Sequence, residues 1–361
     1  MTGKIIRWIL IAIMLCAICL FAAAPSLASV VPLDMDQLTP GRPSQKERWE
    51  SVPAGDALQD SRVLASGTAM PYVMNYDVDA GTWVPTDIPA TAADYDWQFY
   101  EDASISVRSE FCTLKPAGRK KAVPAAIVYI RVADPSQIRT AMSYDEYKKK
   151  NYVNAEKMAE HVNAIAAING DFFKYHYDVG YVLRQGVFYR DRLNGKRDVL
   201  MIDSRGDFHP VFAATSEAMA AAIDALPENV SAVNTFSLGP VLVQNGTALK
   251  QSETITAKRS EFQWCYAQQR VAVVQVDELE YALVETYGKT DSSCGLNLQE
   301  FADFIAYCFP DCRLAYNLDG GGSSNVLVDG KRIHVTPGHR QISDILYFAS
   351  ADDPEAADGN N

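Results

Sequence analysis

Short apolar runs, each broken by a turn dipeptide, limit what this chain can fold into more than any other feature of its 361 residues. Asn194-Gly195, Arg205-Gly206, Asn245-Gly246 and Asp329-Gly330 stand between such runs. Asn, Asp and Gly accept the positive φ that tight hairpins demand. Several of the runs are rich in β-branched and aromatic residues. ISVRSEF from Ile105 alternates, and AAIVYIRV spans Ala125 to Val132. Hairpins are expected over 186–212 and between Arg270–Val276 and Tyr281–Glu285. Further strands are expected at Leu238 onward, Leu314–Leu318, Asn325–Val328, Lys331–Val335 and Ile342–Ala349. Helical patterns are few. Asn154 sits at an N-cap before AEKMAEHVNA, Ser216–Leu226 is Ala-rich, and Asn297-Leu298-Gln299-Glu300 matches a capping box opening a helix to about Cys308. The expectation is α+β: one large domain with a mixed, mostly antiparallel sheet packed by a few helices.

The N-terminus reads as an export signal. Lys4 and Arg7 precede an apolar run from Trp8 to Ala24, and Ser26-Leu27-Ala28 offers a small-x-small cleavage site. The run is long enough that an uncleaved anchor is the alternative. The expected organisation is a signal or anchor over 1–28, an extended Pro/Ala/Asp-rich lead-in over 29–102 with a short strand near Tyr72–Tyr76, a domain over 103–350, and a disordered acidic tail over 351–361. The protein is thus expected to be secreted or extracytoplasmic, touching a membrane only through an uncleaved N-terminal segment. A net charge of −12 argues against a nucleic-acid partner, which would need basic patches. Export permits disulfides, and one involving Cys294, Cys308 or Cys312 is expected. With Cys112 and Cys265 the count beyond the signal is odd, which leaves one thiol over. Cys308 and Cys312 have no matching second pair that would suggest zinc.

Two stretches carry candidate chemistry. Asn169-Gly170-Asp171-Phe172-Phe173 follows a buried-type strand, AIAAI, where polar groups are held rigidly at the strand end. Asp171 there suits a general base, a nucleophile or a metal ligand, although Asn-Gly-Asp also reads as an ordinary turn. The second stretch is NLDGGGSS. Asp319 ends a strand, and Gly320, Gly321 and Gly322 let a backbone approach a ligand and aim N–H groups at an anion. Ser323 and Ser324 add hydroxyls. Turning the chain does not need three glycines, so a ligand-facing loop is expected. Arg270 and Arg340 offer the planar fork that suits phosphate, with a surface salt bridge as the plain reading of either. The five histidines (161, 176, 209, 334 and 339) form no visible metal cluster with acids. Neither a P-loop nor a G-x-S-x-G elbow is present.

NGDFF, LGPVLVQNG, QQRVAVVQVD, NLDGGGSS and the closing Arg340-x-x-x-Asp344 occur in an order and spacing that resemble the phosphodiester glycosidase family, over roughly Ala125 to Ser350. One departure is Asp171, where the family commonly has glycine or alanine. The resemblance implies a hydrolase of the α-N-acetylglucosaminidase type that cleaves a sugar-1-phosphodiester at its anomeric carbon and releases a phosphomonoester. The signal and composition point to a bacterial chain acting on envelope or exopolysaccharide glycans. Under this resemblance Arg270 and Arg340 hold phosphate. The amides of Gly320–Gly322 and the hydroxyls of Ser323 and Ser324 bind phosphate or sugar oxygens. Asp319 is nucleophile or base, Asp171 is the second carboxylate, and Asn169, beside Gly170, fixes a sugar hydroxyl. No cofactor is required, and a Ca²⁺ or Mg²⁺ ion is compatible with the acids present. A non-catalytic module binding anionic glycans, and a metal-dependent phosphodiesterase cutting P–O, are the competing readings.

Overall fold

A computed structural model describes residues 65–68, 72–86, 96–147, 151–171, 180–254, 265–288, 293–333 and 340–351. The expected signal, the first part of the lead-in, Phe172, Phe173, His176, His334, His339 and the acidic tail beyond Ala351 lie outside these residues.

Alternating apolar residues make strands with two usable faces, and the fold uses both. The largest sheet has 11 strands. Its centre runs through Ile105–Lys115, Val123–Val132, Glu280–Thr286, Arg270–Asp277, Leu314–Asn317 and Val241–Gln244, all antiparallel. A parallel pairing of Tyr72–Asp77 with Ile105–Lys115 makes it mixed. A second sheet of five strands is ordered Lys331–Arg332, Val326–Val328, Ala164–Asn169, Asp344–Ala349 and Ile138–Met142. A three-stranded sheet (Phe208–Val211, Val199–Asp203, Ala232–Phe236) and the hairpin Gly180–Arg184/Val187–Arg192 complete it.

The central core lies between these sheets. It joins Val128, Val271 and Leu283 of the large sheet to Ile168, Leu346 and Phe348 of the five-stranded one and to Leu200 and Phe236 of the three-stranded one. The odd-numbered residues Val271 and Val273 face it. The even-numbered Ala272 and Val274 face the other way, onto a second cluster with Phe301, Phe304 and Ile305 of the helix Leu298–Cys308. A third cluster packs the helix Ala155–His161 on the outer face of the five-stranded sheet. The order is therefore helix, sheet, core, sheet, helix. Three α-helices occur among the described residues, so the fold is sheet-dominated and α+β only in that coarser sense.

Local chemistry explains the boundaries. Asn297 accepts the Glu300 N–H at 2.8 Å and Glu300 accepts the Asn297 N–H at 2.9 Å, the reciprocal box expected. Asn154 stands at its N-cap position but makes no side-chain cap bond. Asn245 and Gly246 take φ of 49° and 70°, and Asp329 and Gly330 take 51° and 67°. Asn194-Gly195 only bends the chain and joins no paired strands. That hairpin turns instead at Gln185-Gly186, with φ of 50° and 73°. Gln is not a turn former, so the sequence carries little sign of it.

The lead-in differs from expectation more substantially. Tyr72–Asp77 is the short strand expected there, but Ala65–Thr68, Thr82–Thr86 and Asp96–Glu101 are strands as well, and all four are hydrogen-bonded into or onto the large sheet. Trp83 is fully buried, and its Nε1 donates to the Glu300 carbonyl at 2.8 Å. All described residues fall in one unit, Pro32–Asn361. The expected disulfide is also absent: none joins Cys112, Cys265, Cys294, Cys308 and Cys312. Among the described residues no helix is long and apolar enough to cross a membrane.

Candidate active site

Every residue of Ala164–Asn169 is buried, and its pairing places three polar residues together at one end. Asn169 is opposite Ile345, beside Asp344, while Val326, next to Asn325, is opposite Ile168. Here the sheet opens into a small cleft. Asn169, Gly170, Asp171, Asp319, Ser323 and Arg340 line it, with Tyr152 and Gln341–Ser343. Six of the residues singled out in the sequence thus converge.

Asp319 leaves the strand Leu314–Asn317 and faces this cleft. Packing pushes its carboxyl up to about 6, with the Asp171 charge adding and Ser323, Arg340 and Arg197 opposing. Asp319 as a whole residue is partly exposed. Asn169 is spent on the scaffold. Its Nδ2 donates to the Asp319 carbonyl at 2.8 Å, and its Oδ1 accepts the Asn325 N–H at 2.9 Å. It clips the Asp319 loop to the next strand. The sugar hydroxyl expected for it would have to compete with these two bonds.

The glycines answer mainly to packing. A Cβ on Gly320 would stand 2.6 Å from the Gln269 carbonyl oxygen. Gly321 has φ +61° and donates its N–H to that same carbonyl at 3.1 Å. The Gly322 carbonyl accepts the Arg340 N–H at 2.9 Å. The run therefore seats one loop against the edge of the large sheet and ties Arg340 to it. Gly320–Gly322 and Ser324 do not line the cleft, and the Ser324 hydroxyl is buried with no hydrogen-bond partner.

Arg270 lies elsewhere. Strand alternation turns it with Ala272 and Val274 toward the helix Leu298–Cys308. There its Nε donates to the Leu296 carbonyl at 3.3 Å and its Nη2 to that of Tyr266 at 2.9 Å. Burial pushes it down to about 10, with Glu300 opposing. It is a charged group inside a wall and does not line the cleft.

A buried ion cluster behind the cleft went unread in the sequence. Arg184, 2% exposed, donates from Nη2 to Asp344 at 2.7 Å and to Asp171 at 3.2 Å. Its guanidinium lies 4.5 Å over the Phe236 ring. Asp344 is fully buried, and burial raises its carboxyl, Asp171 adding to the shift and Arg184 working against it. Gly170 must be glycine here, because a Cβ would stand 2.5 Å from the Asp344 carboxylate. Arg184 lies in YVLRQG, which carries no motif, and only the hairpin brings it across the sequence to Asp171 and Asp344. The Arg340-to-Asp344 spacing was the single sign of Asp344. Among the described residues no three His, Cys, Asp or Glu side chains gather as a metal site.

The model of the phosphodiester glycosidase family matches residues 162–349. No curated protein matches the chain. Among solved structures, the catalytic domain of zebrafish N-acetylglucosamine-1-phosphodiester alpha-N-acetylglucosaminidase, auto-inhibited by its pro-peptide, is similar at 16% identity and a TM-score of 0.57. The match covers 86% of this chain and 94% of that one, and shows a shared fold. A hypothetical protein from Synechocystis aligns at 14% identity and a TM-score of 0.49, over 79% of this chain and 71% of that one. A Burkholderia pseudomallei protein named as exported aligns at 16% and 0.43, over 65% and 75%. The family model spans more than half of the chain and takes in the strand end at Asn169, the Arg184 cluster and the Asp319 loop. On that match the chain belongs to the phosphodiester glycosidase family.

Proposed function

We propose that this protein is an exported hydrolase that cleaves sugar-1-phosphodiesters at the anomeric C–O bond and releases a phosphomonoester. One observation carries the reading: within the family match, Asp319, Ser323 and Arg340 line one cleft. Glycoside cleavage passes through an oxocarbenium-like state that needs a carboxylate near the anomeric carbon. Asp319 is that carboxylate, as nucleophile or as base for water, and Ser323 holds it through a hydrogen bond. The departing phosphate monoester is already a good leaving group. Stabilising its charge matters more than protonating it, and Arg340 serves that role.

Asp171 is less suited to proton transfer, because both its oxygens are engaged by backbone N–H groups and Arg184. Arg270 and the Gly321 amide act on the scaffold in this reading. Glycans of a bacterial envelope or exopolysaccharide are the substrates that fit export, and the acidic chain has no nucleic-acid role. The reaction needs no cofactor. A Ca²⁺ or Mg²⁺ ion taking part would reveal itself as chelator sensitivity.

The test is a panel of sugar-1-phosphodiesters, N-acetylglucosamine among the sugars, turned over in ¹⁸O water with and without chelator. Label should enter the sugar, and Asp319→Asn should lose about 10²–10⁴-fold in kcat while staying folded. Label in the phosphate would mean P–O cleavage and end this reading. Affinity without turnover across the panel would favour the glycan-binding module.

A further inference from the structure

Asp171 sits as a ligand would. Its Oδ1 accepts the Ser237 N–H at 2.9 Å and the Leu238 N–H at 3.1 Å. Its Oδ2 accepts the Ser237 N–H at 3.0 Å and the Arg184 Nη2 at 3.2 Å. Two successive main-chain amides and a guanidinium, converging on two oxygens, are what a phosphate or carboxylate site is made of. The surroundings are built to hold it. Ser237 donates from Oγ to the Tyr181 carbonyl at 2.9 Å and accepts the Tyr181 N–H at 3.0 Å, which fixes the amide direction. Gly180 has φ +114°, and a Cβ there would stand 2.8 Å from the Ser237 side chain and 3.7 Å from Nη2 of Arg190. Arg190 brings a second guanidinium to the neighbourhood of Gly180 and Ser237. The side chains of Arg184 and Asp171 are 2% and 6% exposed, so these interactions are little screened.

The charge balance is unusual. Arg184 already carries Asp344. Asp171 adds a second carboxylate to the same guanidinium, beside a cleft whose substrate is itself an anion in the reading above. An anionic oxygen and the Asp171 carboxylate cannot both take the Ser237 and Leu238 amides.

We propose that the Ser237 and Leu238 amides, with Arg184 and Arg190, form an oxyanion subsite for a phosphate group, and that Asp171 fills it from within when no substrate is bound. Asp171 then acts as an internal competitor. The substrate phosphate displaces it, and the cost of that displacement sets how weakly phosphate alone binds. This rests on the phosphodiester reading for its ligand but is measured apart from turnover.

The experiment uses the mature chain and inorganic phosphate, followed by the amide resonances of Ser237 and Leu238. Asp171→Gly empties the subsite and should bind phosphate at least tenfold more tightly than wild type, with both amides shifting. Asp171→Asn keeps the space filled and should show no such gain. Adding Arg190→Met to Asp171→Gly should abolish most of the gain. With a turned-over phosphodiester, Asp171→Gly should lower KM. Unchanged or weaker phosphate binding in a folded Asp171→Gly overturns the proposal, whatever the activity. Should both Asp171→Gly and Asp171→Ala fail to fold, wild type at saturating phosphate decides. Shifts confined to Ser237, Leu238 and their neighbours support the subsite, and their absence overturns it. If no phosphodiester is turned over yet Asp171→Gly gains phosphate, the subsite stands and the glycosidase reading falls.

Discussion

Asp319 is the residue whose chemistry depends most on its surroundings. Folding raises its carboxyl to about 6, chiefly by burial. The native state therefore holds this proton more tightly than the unfolded chain does. Its contribution to stability is full below the ordinary carboxylate range and is lost as pH rises through about 6. Asn at this position carries no charge at any pH. The melting temperature of Asp319→Asn should therefore gain on that of wild type as pH climbs from about 4 to about 7. In the same window kcat/KM of wild type should rise, because the proposed role needs the carboxylate form. A flat kcat/KM profile through this range would remove Asp319 from the chemistry. At this scale the sequence was partly legible. Asp319, Asp171 and Arg340 were visible as chemical types beside turn-forming residues. That Asn169 clips a loop, and that Arg270 faces a helix, could not be read, since both depend on which neighbour the fold supplies.

Among the elements, the helix Leu298–Cys308 links the local code to the packing. Its capping box was readable because it is written within four residues, Asn297 to Glu300. Its tertiary duties were not. The Glu300 side chain also pairs with Arg119, and the Glu300 carbonyl accepts the Trp83 indole. Asn297→Ala removes the acceptor for the Glu300 N–H and should cost about 1 kcal/mol of stability. Denaturant titration should show the midpoint falling with the slope unchanged. A loss several times larger would mean that the cap also positions Glu300 against Arg119. The glycine run is a parallel case. Its conformational freedom was evident from sequence, but whether that freedom served a ligand or a sheet edge depended on Gln269, some fifty positions away.

The described residues form a stack of helix, sheet, core, sheet and helix, and its integrity depends on strands that precede the family match. Tyr72–Asp77 and Thr82–Thr86 carry Met74 and Trp83, which are fully buried in the cluster beneath the helix Leu298–Cys308. A chain starting at 103 would expose that cluster. It should lack the cooperative thermal transition expected of a chain starting at 29, and partition into aggregate on expression. A sharp transition within a few degrees of the longer chain would show that the strands before 103 are dispensable. The sequence by itself determined the elements. Alternation, turn dipeptides and a capping box act over a few residues, and they encode strands, hairpins and a helix start whatever surrounds them. Only the tertiary structure decided which of the elements meet. Arg184, Asp171 and Asp344 become one buried cluster because three strand ends converge, and Asp171 rests on the Ser237 and Leu238 amides across 66 and 67 positions. Such contacts follow from sheet order and register, which are set by how all the apolar faces are buried together, and no local stretch of sequence contains that information.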